Sequence, residues 1–198
     1  MSEQYFSSSP QSESRPSRFS VEFGGESYVF ACDRGVFSVG ELDEGTRFLL
    51  ESLPPLTGRV LDLGCGWGPV GTILGRQNRA LEIVMCDVNP RAVELSRQSL
   101  QLNGVTNASV LLSDGFSEVA GSFDAIVTNP PIRAGKQVIY RLFDDALSRL
   151  KPGGCLYIVI RKQQGAESAL KHLAEYGASV IGKHKGFWII RAGGQSDE

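Results

Sequence analysis

The sequence predicts an α/β fold: a mostly parallel sheet with helices on both faces and an antiparallel hairpin at its end. Three observations predict it. From Arg59 onward, short continuous apolar runs alternate with longer amphipathic stretches. Gly, Pro and Asn punctuate the junctions between the two kinds. The last two apolar runs, in "SVIGKHKGFWIIRA", are separated only by Lys185-Gly186, too short a link for a parallel crossover.

Taken in order, residues 1–18 ("MSEQYFSSSPQSESRPSR") are rich in Ser, Pro and Gln, which predicts a flexible N-terminal arm ahead of a single domain over 19–198. "RFSVEF" and "SYVFAC" flank Gly24-Gly25 as the arms of a β-hairpin. After "GVFSVG", the stretch "ELDEGTRFLLESL" carries Leu42, Phe48, Leu49 and Leu53 at helical spacing and stops at Pro54-Pro55. "RVLDLG" reads as a buried strand, "PVGTILGRQ" as a short helix and "LEIVMCD" as a second strand. "NPRAVELSRQSLQLNG" is a helix with Asn89 as N-cap, Pro90 at its first position and Gly104 past its end. "ASVLLSD" and "FDAIVTN" supply strands three and four. "KQVIYRLFDDALSRLKPGG" reads as a helix with Val138, Leu142, Ala146 and Leu150 inward, closed by Pro152-Gly153-Gly154. "CLYIVIRK" is strand five, "AESALKHLAEYG" a helix, and the final hairpin completes the sheet.

Composition narrows the function classes. A chain of 198 residues is long enough to bury a substantial single core. Its net charge of -2 gives no global basic footprint, so tight unaided binding to naked nucleic acid is not expected. Cys32, Cys65, Cys86 and Cys155 lie far apart, and only His172 and His184 accompany them, so no metal site is expected. Reduced thiols in a cytoplasmic protein are the simplest reading. No apolar run reaches membrane-spanning length, and no membrane association is expected.

The first strand–helix turn, "VLDLGCGWGPVG", admits two readings. Gly66, Gly68 and Gly71 spell G-x-G-x-x-G, and Asp87 follows where a ribose-binding acid belongs, which predicts a nicotinamide dehydrogenase. Read from two residues earlier, Asp62 ends the strand and Gly64, Cys65 and Gly66 follow it. An acid there repels a pyrophosphate and favours a cation. S-adenosylmethionine carries an ammonium, a sulfonium and an adenosine but no phosphate. Asp62 then lies near its amino-acid end, Asp87 accepts from the ribose hydroxyls, and Asp114 meets the adenine amine with Phe116 over the ring. Each aspartate alone reads as a cap or a solvated turn. All three at successive strand ends favour the nucleoside, because such sheets bind ligands at their carboxyl edge.

"TNPPIRAGK" follows the fourth strand. Two prolines cannot extend a sheet, and they hold Asn129 and Pro130 extended. The Asn129 side-chain oxygen and the Pro130 carbonyl then form two acceptors facing one point. An NH2 group donating to both is drawn toward tetrahedral geometry, and its lone pair becomes available for in-line attack on a methyl. No base need act before attack. The plain alternative is a proline-rich exit turn.

With these residues assembled, the chain resembles the class I S-adenosylmethionine-dependent methyltransferases of the small-domain (MTS) family, and within it the catalytic half of bacterial 16S ribosomal RNA guanine-N2 methyltransferases. The resemblance runs from about Phe19 to Ala192 and rests on "RGVFSVGELDEGTRFLL", "VLDLGCGWGPVG", "DVNPRAVELSRQSLQLNG", "NPPIRAGK" and "LKPGG". It implies a Rossmann-like seven-stranded, mostly parallel sheet of order 3-2-1-4-5-7-6, with an N-terminal β-hairpin plus helix extension. It implies cofactor contacts from Phe37, Thr46, Asp62, Gly64, Cys65, Gly66, Gly68, Asp87, Val88, Asp114, Gly115, Phe116 and Asn129. It implies catalysis at Asn129, Pro130, Pro131 and Ile132. The implied substrate is RNA, as ribosomal RNA or a ribosomal subunit. Two departures stand out. The ribosomal enzymes carry a second, degenerate copy of the domain on the N-terminal side that is absent from this sequence, so RNA recognition falls to the single domain, its arm or a homodimer. Ile132 stands where many amino-methyltransferases have a stacking aromatic, which leaves stacking to Phe37 or an arm aromatic such as Tyr5 or Phe6.

Three basic clusters are expected at the catalytic mouth: Arg133 and Lys136, Arg161 and Lys162, and Lys183-His184-Lys185. They suit phosphates around a flipped nucleotide, or else are solvated loop lysines. His172 is expected to be a surface residue. A protein glutamine-N methyltransferase is the second functional reading, since a carboxamide NH2 fits the same two acceptors. A non-catalytic cofactor-binding partner protein is the third.

Overall fold

The computed structural model describes residues 17–33 and 41–194. Phe37, Tyr5 and Phe6 lie outside the described residues. Strands β1 (Ser17–Phe23) and β2 (Glu26–Cys32) form a separate antiparallel hairpin. Its turn has positive φ at Gly24 (59°) and Gly25 (79°), the two-residue geometry that suits a right-twisted hairpin. Helix α1 (Glu44–Ser52) follows, then β3 (Arg59–Leu63), α2 (Pro69–Gln77), β4 (Glu82–Asp87), α3 (Pro90–Leu102) and β5 (Ala108–Leu112). The chain continues through β6 (Phe123–Thr128), α4 (Lys136–Ser148), β7 (Leu150–Arg161), α5 (Ala166–His172), β8 (Ser179–His184) and β9 (Phe187–Gly193).

The main sheet has seven strands in the order β5-β4-β3-β6-β7-β9-β8. Counted from β3 as strand one, this is the expected 3-2-1-4-5-7-6. Strands β3 to β7 are mutually parallel, and β9 runs antiparallel to β7 and β8. Alternate residues of each central strand enter different cores, as period-two geometry requires. Val60, Met85, Val127 and Val159 join one cluster with α1, α2, α3 and the β1–β2 hairpin. Leu61, Cys86, Ile126 and Ile158 join the other with α4 and α5. This double burial is why the strands read as continuous apolar runs.

The hairpin is attached to α3 by side chains. Asn103 donates to the Val29 carbonyl (2.7 Å) and accepts from its N–H (3.1 Å), standing in for a partner strand. Ser99 Oγ accepts from the Ala31 N–H at 3.3 Å.

Several details differ from the sequence reading, among them α5, which ends at His172 and is followed by a separate 3-10 turn, Ala174–Tyr176. Ser17 and Arg18 belong to β1 rather than the arm, because they pair with Cys32 and Ala31. Helix α4 ends at Ser148, and Leu150 through Gly154 already belong to β7, where the register against β6 shifts between Phe123 and Ala125. A bulged stretch accommodates Pro152, which has no N–H to give to a regular ladder. On α4, Ile139, Phe143 and Ala146 are buried while Val138 is 56% exposed. The inward stripe thus starts one residue later than expected, since Ile139 and Phe143 form the i, i+4 pair that fills the second core.

Candidate active site at the carboxyl edge of the sheet

The loop after β3 carries the glycines. Gly64 and Cys65 both donate to the Cys86 carbonyl at 2.9 Å, pinning the loop across the end of β4. Gly64, Gly66 and Gly68 have φ of 76°, 57° and 88°, a region that side chains disfavour. A Cβ on Gly64 or Gly66 meets nothing within 4 Å, so these two keep an open cradle at the surface. A Cβ on Gly68 falls 2.9 Å from Ser96 Oγ, and one on Gly71 falls 2.5 Å from Met85 Sδ. The four glycines therefore divide the work: Gly64 and Gly66 leave room for a ligand, while Gly68 and Gly71 let α2 lie close to α3 and β4.

Two acids hold this loop in shape. Gly68 caps α2 without a side chain, and buried Asp62 replaces it by accepting from the Gly71 N–H at 2.9 Å. Burial pushes the Asp62 carboxyl up to about 7, with the Gly71 bond opposing and the Asp87 charge adding to the shift. Asp87 accepts from Gly66 N–H and Asn89 N–H, each at 2.9 Å, and burial raises its carboxyl as well. A cation beside this pair would offset both penalties, whereas a pyrophosphate would add to them. The donor set and the open cradle therefore suit a cationic nucleoside. Val88 follows Asp87, half-buried, ahead of the Asn89 cap. Asp114 is exposed beyond β5, and Gly115 has φ of 55°. Phe116 packs into the second core with the Arg149 guanidinium 5.8 Å from its ring centre, leaving only 9% of the residue exposed.

Ser96 escaped the sequence reading. Its hydroxyl donates to the Gly66 carbonyl at 2.7 Å and lies 3.5 Å from Cys65 Sγ. The available signal was a polar stripe, Ser96, Ser99 and Asn103, on an otherwise apolar helix face. Cys65 is buried beneath the loop in the first core, and Cys86 is buried in the second core with its Sγ 3.9 Å from the Gly115 carbonyl. Burial and the nearby Asp62 and Asp87 charges push the Cys65 thiol well above its ordinary value and Cys86 up to about 12.

The fourth-strand exit lies beside the loop. Thr128 Oγ1 donates to the Leu63 carbonyl at 2.8 Å, tying β6 to β3 where both strands end. The Asn129 Nδ2 donates to Thr46 Oγ1 at 3.0 Å and to Asp43 Oδ1 at 3.4 Å. Two acceptors on one side fix the amide's orientation, so Oδ1 is turned the other way. The Pro130 carbonyl accepts from the Ile132 N–H at 2.8 Å across an inverse γ-turn at Pro131 (φ -73°, ψ 75°), and its second lone pair remains. Ile132 opens a single 3-10 turn, Ile132–Ala134, and packs half-buried against the second core. Asp43 is a second residue the sequence reading missed. It is the N-cap of α1, accepting from Gly45 and Thr46 N–H at 3.0 and 3.1 Å, and the signal was an Asp directly ahead of a helix.

The basic clusters do share this edge. Arg133 and Lys136 follow β6, Arg161 is the last residue of β7, and Lys162 follows it. The β8–β9 turn is brought to the same end by the Lys162 N–H bond to the Gly186 carbonyl at 2.8 Å. Lys185 pairs with Glu44 at 2.7 Å, Lys162 with Glu167 at 3.4 Å, and Lys136 lies 5.3 Å over Tyr140. An open depression of about 500 Å³ here is lined by Arg161, Lys162, Gln163, Glu167, Lys185 and Gly186. A second hollow, of about 220 Å³, lies near the amino ends of β6 and the regular part of β7, among Asp124, Pro152 and Tyr157, away from the clamp. His172 is more than surface: its Nε2 bonds Asp144 Oδ1 at 2.7 Å and its ring stacks on Tyr140 at 4.2 Å, joining α5 to α4.

A sequence model of the methyltransferase small domain matches residues 27–191. The uncharacterized protein YbxB of Bacillus subtilis (strain 168) is 44% identical over 198 residues, covering 97% of this chain and 98% of its own. The ribosomal RNA small subunit methyltransferase C of Aeromonas hydrophila is 38% identical over 146 residues, which are 72% of this chain and 42% of the relative. The solved T. thermophilus 16S rRNA N2 methyltransferase RsmC, in complex with AdoMet and guanosine, superposes with a TM-score of 0.81 at 28% identity. That match covers 94% of this chain and 52% of RsmC. The chain thus spans nearly all of YbxB and about half or less of the ribosomal RNA enzymes.

Proposed function

The chain belongs to the methyltransferase small-domain family, and from that premise we propose that it moves a methyl group from S-adenosylmethionine to an exocyclic amine of RNA, with guanine N2 of ribosomal RNA as the acceptor. The observation that carries the reading is the Asn129 carboxamide, whose nitrogen is engaged by Thr46 and Asp43 and whose oxygen is thereby aimed away from them beside Pro130.

The bound cofactor supplies an electrophilic methyl on a sulfonium. The chain's own residues do the rest. Gly64 and Gly66 admit the nucleoside, Asp87 offers carboxylate oxygens to its ribose, and Asp62 places negative charge near its amino-acid end. Asn129 Oδ1 and the Pro130 carbonyl accept the two N–H bonds of the substrate amine, which localises its lone pair for in-line attack. The amine's surplus proton leaves after transfer, so no side chain need act as a base beforehand. Arg133, Lys136, Lys162 and Lys185 rim the mouth with cations suited to backbone phosphates. RNA as substrate also fits a cytoplasmic setting, as do four buried free cysteines.

The test is transfer of tritiated methyl to small ribosomal subunits, naked ribosomal RNA and peptide-release factors, followed by digestion to nucleosides. Label recovered as N2-methylguanosine is the expected result. Label found only in a protein glutamine would replace RNA by protein as the substrate, and no label anywhere with intact cofactor binding would favour a non-catalytic partner.

A further inference from the structure

We propose that Arg161 is the platform on which the target base stacks, the role that Ile132 leaves vacant; the proposal rests on the reading of the site as an RNA amine methyltransferase. Isoleucine has no π-face, and Ile132 is packed against the second core. A flat side chain must therefore come from elsewhere at the mouth, and the sheet brings one there. Strand β7 runs parallel to β6 with Ile158 opposite Thr128. Extending that register sets Asn129 opposite Val159, with Arg161 two residues further along and on the same face. With strands about 4.8 Å apart and about 3.3 Å of rise per residue, the two Cα atoms lie roughly 8 Å apart, a distance a purine can bridge.

Arg161 is also held in a manner that suits stacking. Its Cζ sits 4.2 Å from the centre of the Phe187 ring, its cross-strand partner on β9. Phe187 is 9% exposed, a fixed floor under the guanidinium. The ring presses on α1 so closely that a Cβ on Gly45 would fall 2.8 Å from Phe187 Cε1. Gly45 N–H in turn donates to Asp43, which orients Asn129. One line of contacts therefore runs from the amine acceptor to the proposed platform. Lys162 and Lys185, its neighbours around the depression, are matched by Glu167 and Glu44, while Arg161 forms no ion pair among the described residues. A guanidinium is planar and weakly hydrated, so a ring can lie below it and a base above.

Methyl transfer to small-subunit RNA by the wild type, Arg161→Ala, Arg161→Lys and Arg161→Trp, at low and high salt, tests the proposal. Cofactor calorimetry and circular dichroism on each variant confirm an intact fold. Stacking predicts that Arg161→Ala lowers kcat/KM by about 5- to 150-fold, the usual cost of losing one base-stacking side chain. Arg161→Lys stays low, Arg161→Trp recovers most of the rate, and the salt dependence matches wild type. If Arg161→Lys recovers and Arg161→Trp does not, with a salt slope shallower by about 0.7, Arg161 grips a phosphate and the proposal is overturned. Full activity in every variant also overturns it, while wild-type transfer in the same assay leaves the RNA reading standing. No wild-type transfer to any RNA overturns both.

Discussion

The Asn129 nitrogen is held by Asp43 and Thr46, so the catalytic role proposed for its amide depends on residues that do not themselves contact the proposed amine. Asn129→Ala should lower kcat by about 100-fold or more, on the scale of losing one preorganised polar group that stabilises a transition state, with a far smaller loss of cofactor affinity by calorimetry. Asp43→Ala should lower kcat and also destabilise α1 by about 1 kcal/mol through the lost cap. Asp43→Asn, which can still cap and still accept from Asn129, should recover both, which ties the two effects to the acceptor oxygen rather than to the charge. Asp62 gives a prediction in pH. Its carboxyl rises from 3.8 unfolded to about 7 folded. The folded state therefore keeps a proton that the unfolded chain gives up, and the resulting stability is full below 3.8 and lost as pH climbs to about 7. Asp62→Asn should flatten that decline in denaturant melts across the same window.

At the scale of elements, the glycine loop and the β1–β2 hairpin are one unit. Trp67, in the loop itself, is buried edge-on between Phe19 (5.1 Å) and Phe30 (4.7 Å) of the hairpin. Trp67→Ala should cost about 3–5 kcal/mol in urea unfolding, and cofactor affinity should fall with it because Gly66 and Gly68 flank the indole. Elements of this kind were legible where local chemistry decides them. Asn89-Pro90 opened α3, Gly24-Gly25 and Lys185-Gly186 marked the two hairpin turns, and five apolar runs marked the central strands. The inward stripe of α4 was not legible, since Val138 and Ile139 are equally apolar and only the second core chooses between them. The start of β7 was hidden because Pro152-Gly153-Gly154 reads as a stop and yet is absorbed by a bulge. Of the site, the residues at strand ends were visible from their spacing, whereas Asp43 and Ser96 act across the fold through contacts that no local pattern records.

At the scale of the whole molecule, ligand binding should appear as stability. S-adenosylmethionine at a hundred times its dissociation constant should add about 2.7 kcal/mol, raising the melting temperature by roughly 5–10 °C. NAD should leave it unchanged, because Asp62 and Asp87 repel a pyrophosphate at the cradle. Two buried thiols, Cys65 under the cradle and Cys86 on the other face of the sheet, carry a further consequence. Cys65 and Cys86 are shut away and held protonated, so an alkylating reagent reaches Cys65 only when the glycine loop opens and Cys86 only when the second core opens near Gly115. Their rates of modification are then clocks for those two openings, native to the chain and needing no introduced label. If α3, Ser96 and Trp67 hold the loop as one body with the hairpin, Cys65 should be modified no faster than that body opens, and a bound cofactor should slow it.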